Sequence, residues 1–149
     1  KEFVAKILAA KEAKNNNDFL IIARIEALIS GLGIKEALKR ADAYEAAGAD
    51  AILIHSKQKT PEEIFEFTDS WKGTIPIVAI PTTYDSVKLN ELQEHKIKMV
   101  IYANQTLRVA YTAMENLLKE MMITEKISDV KQPMSNMNEI FEKSYINNL

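Results

Sequence analysis

The sequence contains no cysteine, which excludes a disulfide framework and thiolate metal ligands and fits a reducing compartment, so the cytoplasm is the expected location. It also lacks a charge bias. Lys and Arg number 19 against 21 Asp and Glu, and no basic cluster alternates with aromatics, so the electrostatic footprint of a nucleic-acid-binding protein is missing. No apolar run approaches the roughly 20 residues that a membrane helix needs. The opening KEFVAKILAAKEAK is charged at helical spacing, unlike a signal peptide. Nucleic acid and membrane are therefore not expected partners. There is no Walker-type loop, no serine nucleophile elbow and no His/Asp/Glu set at metal-ligand spacing, so a metal is not expected to be held by these residues. Gly31-Leu32-Gly33 precedes a helical pattern, but the rest of a dinucleotide fingerprint is absent and Arg24 stands where its glycine turn would begin. The chain opens on Lys1 without a Met, which reads as a cut.

What is present is enough for one domain with a real core: 149 residues, 47% of them hydrophobic. Val4, Ile7 and Leu8 predict an amphipathic helix over 2–14, closed by Asn15-Asn16-Asn17-Asp18. Residues 19–24 form a near-continuous apolar run with β-branched members, which predicts a strand buried on both faces of a parallel sheet. The alternation then repeats: helix 34–47 stopped at Gly48, strand 51–55, helix 61–70 with Thr60 as N-cap and Pro61 at its first position, and strand 75–80. A helix over 86–95, a strand over 99–103 and a longer helix over 106–122 follow, the last with Thr106 as its cap. Its stripe Leu107, Tyr111, Met114 and Leu118 is expected to pack into a core or, failing that, a subunit interface. Trp71 reads as a packing anchor and His95 as solvated. Met137, Ile140, Phe141 and Tyr145 give a short amphipathic pattern near the end.

Four strands alternating with helices require a parallel sheet, either doubly wound or part of a closed barrel. A barrel of eight strands needs about 250 residues, so four strands in this length make half of one. The expected fold is α/β, the C-terminal half of a (β/α)8 TIM-type barrel, over residues 1–127, with a docking segment or tail over 128–149. An isolated half exposes two sheet edges and a barrel interior, and is not expected to behave as a monomer.

Polar residues stand where each strand ends, the place where ligands bind in parallel α/β architectures. These are Arg24, His55, Thr82 with Thr83, and Asn104. Burying part of a guanidinium demands a carboxylate or phosphate partner. Glu26, two residues on and on the same face, offers an internal ion pair and could equally hold the guanidinium ready for an anion. His55 could donate to an anionic oxygen or be satisfied by a neighbour. Thr82 fits either a turn or a phosphate contact, and Asn104 either a ligand contact or a helix start.

At these residues the chain resembles the phosphoenolpyruvate mutase branch of the isocitrate lyase superfamily. The resemblance is carried by Asp18 to Ala27, by Ala41 to Lys57 with its Ala47-Gly48-Ala49-Asp50 turn and His55-Ser56-Lys57, by Ile80 to Tyr84, and by Val100 to Asn104. It covers about residues 1–122, and His55 is the residue that points to the mutase branch rather than to the methylisocitrate lyases. The resemblance implies an enzyme of phosphonate chemistry that interconverts phosphoenolpyruvate and phosphonopyruvate with Mg2+. Arg24 and His55 match the family's substrate-binding arginine and histidine, with Glu26, Ser56, Thr82 and Asn104 in support. It places the Mg2+ ligands, the catalytic aspartate and the gating loop in the preceding half of the barrel, and it implies a homo-oligomer formed through barrel helices and the C-terminal segment. Mutase and phosphonopyruvate hydrolase differ at the gating loop, so a hydrolase, or a C–C lyase of the superfamily, is the alternative. A reading of another class is a non-catalytic half-barrel that binds an anion or a protein partner.

Overall fold

In the computed structural model, which describes residues 1–144, the first part of the chain alternates helix and strand. The elements are α1 (Glu2–Ala13), β1 (Ile22–Ile25), α2 (Gly33–Ala46), β2 (Ala51–Ile54), α3 (Glu62–Ser70), β3 (Ile77–Ala79), α4 (Leu89–Glu94) and β4 (Ile97–Val100). They lie in one compact unit, Lys1–Ala103, and a second unit begins at Asn104. All four strands are parallel, in the order β1-β2-β3-β4, as the alternation predicts. Branched apolar side chains pack well on a pleated surface. In β2, which is paired on both sides, every residue is buried.

The two faces of the sheet have different partners. Ala23, Ile25, Ile52, Ile54, Ile77, Ala79 and Ile97 share one core with Ile7 of α1, Ala37 and Ala41 of α2, Ile64 and Phe67 of α3 and Leu92 of α4. The opposite face carries a separate small cluster, Ala51, Leu53 and Val78 backed by Ile80 and Ile101. A doubly wound sheet carries helices on both faces, whereas a (β/α) barrel carries them on the outer face alone. The sheet of this chain is of the barrel kind, four strands of it, as expected.

Local chemistry fixes the joints. Helix α2 stops because Gly48 adopts φ +91°, a conformation that glycine reaches without a Cβ penalty. Its N–H and that of Ala49 donate to the carbonyls of Glu45 and Tyr44. Asp50 then ties three segments. Its carboxylate accepts the Ile21 N–H at 2.8 Å and pairs with Lys14 Nζ at 3.2 Å. The Ile21 N–H, assisted by Lys14, holds that carboxyl below its ordinary range although partial burial works the other way.

Several boundaries differ from the sequence reading. The strand expected over 19–24 starts at Ile22, and Phe19 and Leu20 are exposed. The Asn16 side chain accepts the N–H groups of Asp18 and Phe19, so the turn of the asparagine run extends further than its composition suggests. β1 alternates exposed and buried residues instead of being buried throughout, because it is an edge strand without helices on its other face. Pro61, already helical at φ −84°, occupies the cap position of α3, and Thr60 does not cap it. β4 spans Ile97–Val100 rather than 99–103, with a register shift opposite Ile77/Val78. His95 is not simply solvated: its Nδ1 lies 3.0 Å from Asp69 and its ring stacks on Phe65 at 3.7 Å. Trp71 is buried beside Phe67, the packing anchor expected of it.

The second unit contains α5 (Gln105–Thr124), a 3-10 turn (Ile127–Asp129) and α6 (Met137–Ser144). Asn104, not Thr106, stands at the α5 cap, where its N–H donates to the Gln105 side chain. No residue of α5 is buried, so Leu107, Tyr111, Met114 and Leu118 do not pack into a core. Met137, Ile140 and Phe141 lie on α6 as an exposed apolar group. Tyr145, the last member of that pattern, lies outside the described residues.

Candidate functional site

The register of β1 on β2 sets Arg24 beside Leu53. Residues two apart on a strand share a face, so His55, the first residue after β2, comes to the same side as Arg24 at the carboxyl end of the sheet. Glu26 lies two residues beyond Arg24. These three side chains meet as their spacing suggests. Arg24 Nε donates to Glu26 Oε1 in a charge-assisted bond, and Arg24 Nη2 lies 2.6 Å from His55 Nδ1. Glu26 Oε2 is 4.0 Å from the same ring nitrogen.

The tautomer follows from donor chemistry. A guanidinium has donors only, so His55 Nδ1 accepts, the ring is neutral, and its proton is on Nε2. Burial pushes the His55 pKa down, and the Arg24 charge lowers it further against a smaller opposing effect of Glu26. Arg24 has five N–H groups; two are committed to Glu26 and His55, which leaves three. The Arg24 and Glu26 side chains are 44% and 42% exposed, so the remaining donors are open to a ligand. With His55 neutral the trio has no net charge, and protonating the imidazole adds one positive charge.

This arrangement has a pH signature. His55 is expected to titrate below its ordinary value of 6.5 in an NMR titration of its ring. The neutral ring therefore contributes stability that is present above about pH 6.5 and lost as pH falls through the lowered folded value. A bound anion opposes that shift, so sulfate, whose charge is constant over this range, is expected to bind more tightly as pH falls and to raise the His55 midpoint. A His55 midpoint that sulfate leaves unchanged contradicts this coupling.

Ser56 is completely buried. Its hydroxyl donates to Glu63 of α3 and accepts the Gln58 N–H at 3.0 Å, while its carbonyl accepts Thr83 Oγ1 at 3.0 Å. Thr82 closes a turn, its N–H donating to the Ile80 carbonyl, and it is Thr83 that reaches the loop after β2. Asn104 opens the second unit. Tyr84 packs in the core, and burial pushes its phenol up to about 12, so it stays protonated at neutral pH. Sequence reasoning missed Glu63 and undervalued Thr83. The start of α3 beside Pro61 was a signal for Glu63, since it places that carboxylate in the first helical turn.

A family model described as phosphoenolpyruvate phosphomutase matches residues 1–122. The phosphoenolpyruvate phosphomutase of Tetrahymena pyriformis is 42% identical over 140 residues, which is 94% of this chain and 47% of that protein. The crystal structure of the phosphoenolpyruvate phosphomutase from Streptomyces platensis subsp. rosaceus aligns with a TM-score of 0.92 at 38% identity, over 96% of this chain and 50% of that one. A phosphonopyruvate hydrolase in complex with oxalate and Mg2+ aligns with a TM-score of 0.90 at 44% identity, over 96% of this chain and 51% of that one. The chain thus spans about half the length of the curated relatives it matches.

Proposed function

The chain belongs to the phosphoenolpyruvate phosphomutase family, and from that premise we propose that it is the substrate-binding half of a cytoplasmic phosphoenolpyruvate/phosphonopyruvate phosphomutase. The observation that carries the proposal is the Arg24–Glu26–His55 trio at the carboxyl ends of adjacent strands. Phosphoryl transfer is catalysed mainly by positioning and by neutralising charge spread over the phosphoryl oxygens. Arg24 supplies a planar set of free donors for such oxygens, and Glu26 fixes the direction of that plane. His55 presents Nε2–H to an oxygen of the same ligand while its Nδ1 accepts from Arg24.

Among the described residues no group of three or more His, Asp and Glu is placed to hold a metal ion. The resemblance places the Mg2+ ligands in the preceding half of the barrel, and the proposal gives this chain no metal ligand. The exposed apolar face of α5 supports a homo-oligomeric state for the enzyme. A phosphonopyruvate hydrolase is the second reading, favoured by the 44% identity to a protein of that name.

Phosphorus NMR of phosphonopyruvate with Mg2+, this chain and the complementary half of a family barrel separates the readings. Phosphoenolpyruvate is the expected product. Free phosphate transfers the assignment to the hydrolase, and no turnover by halves that associate and fold removes the enzymatic reading.

A further inference from the structure

We propose that Glu63 is a positioning residue for His55, acting through the buried hydroxyl of Ser56. The inference rests on the reading of His55 as a substrate contact and names what holds that contact in place. His55 leaves the sheet at the end of β2, where ladder hydrogen bonds no longer restrain the backbone. Its neighbour Ser56 is held at two atoms by three segments. The Ser56 hydroxyl proton goes to Glu63 in the first turn of α3, the hydroxyl oxygen takes the Gln58 N–H, and the carbonyl takes the Thr83 hydroxyl from the turn after β3.

A hydroxyl has one proton to give. With that proton committed to a carboxylate, its lone pairs face Gln58, and the two bonds reinforce each other. Burying a hydroxyl completely is unfavourable unless it is bonded, and Ser56 is 0% exposed, so the bond to Glu63 fixes the rotamer as well as the loop. The Thr83 bond to the Ser56 carbonyl sets the peptide plane between residues 56 and 57, and the Glu63 bond fixes the Ser56 side chain, so the chain leaving His55 is anchored one residue on. Anchoring Ser56 restrains the His55 backbone next to it, so that Nδ1 meets Arg24 at 2.6 Å and Nε2–H is left for a ligand. Glu63 is bonded to Ser56, and its effect reaches the site through that hydroxyl.

The test is the tautomer of His55, read from ring-nitrogen shifts in long-range proton–nitrogen spectra of the 149-residue chain. The chain has 2 histidines, so His95→Gln assigns the signal. Glu63→Ala is expected to convert a single Nε2–H tautomer into an averaged population and to weaken phosphonopyruvate binding about tenfold, as small misplacements of a contact do. Glu63→Gln, which keeps an acceptor at that position, is expected to restore most of both. Thr83→Val should move the ring nitrogens in the same direction and Thr83→Ser should restore them. Since Thr83 is on the surface, this pair decides the matter if Glu63→Ala does not fold. Ring nitrogens at wild-type positions in the folded alanine and valine variants overturn the proposal. Phosphonopyruvate that leaves the wild-type His55 signal unmoved overturns instead the reading of His55 as a substrate contact, because the tautomer test needs no ligand.

Discussion

Replacing Arg24 with alanine is expected to weaken phosphonopyruvate binding by roughly 30- to 150-fold. That is the loss of about 2–3 kcal/mol, the lower part of the range for truncating one partner of a hydrogen-bonded charge pair. The lower part applies because Arg24 is 44% exposed and water screens part of the attraction. Truncation removes the three free donors, and it also leaves Glu26 facing the incoming anion uncompensated. Arg24→Lys separates geometry from charge. An ammonium keeps the positive charge but cannot span Glu26 and His55 as the planar fork does, so an intermediate loss of about tenfold is expected. The His55 ring reports on the same change. Arg24 is one of the groups that lower its pKa, whereas Glu26 raises it, so the His55 midpoint should rise in Arg24→Ala. Calorimetric titration with phosphonopyruvate, paired with the ring titration, measures both effects. An alanine variant that binds as the wild type does would remove Arg24 from the site and the proposed function with it.

Which parts of this site are legible in the sequence depends on how far apart the interacting residues are along the chain. Arg24 and Glu26 are two residues apart and announce themselves as charges closing an apolar run. His55 is legible because β2 is an uninterrupted buried strand with a polar residue directly after it. Their meeting follows from parallel pairing, which the alternation of helices and strands already requires. Glu63 is different. It joins Ser56 across a loop that no periodic pattern describes, and a glutamate in a first helical turn is ordinarily explained by the helix dipole alone. The edge strand β1 shows the same limit. Composition says that 19–24 is apolar, but only the side-chain bonds of Asn16 decide that the chain reaches the sheet at Ile22. On α5 the 3.6-residue period identifies an apolar stripe correctly and cannot say what the stripe packs against.

Phe67→Ala is expected to be the most damaging core substitution, costing about 3–5 kcal/mol from a total of about 5–15 for an ordinary domain. α3 is fastened to the sheet by Ile64, Phe67 and, just past its end, Trp71, and Phe67 is 0% exposed. The Phe67 ring lies nearly parallel to Trp71, 6.2 Å away and inclined by 11°, so a cavity at 67 also strips one face of the tryptophan. Urea unfolding should show a lower midpoint with an unchanged slope. Phe67→Leu keeps much of the volume and should cost less. It also tests whether the packing of α3 and the bond of Glu63 to Ser56 are separable. Phe67 lies one turn beyond Glu63, toward the far end of the helix, so Phe67→Leu is expected to lower stability while leaving the His55 tautomer and phosphonopyruvate affinity at wild-type values. If affinity falls together with stability, α3 is held as a rigid body and the orientation of His55 depends on the core beneath it. If only stability falls, the first turn of α3 holds the loop independently, and Glu63 can be altered without disturbing the core that Phe67 fills.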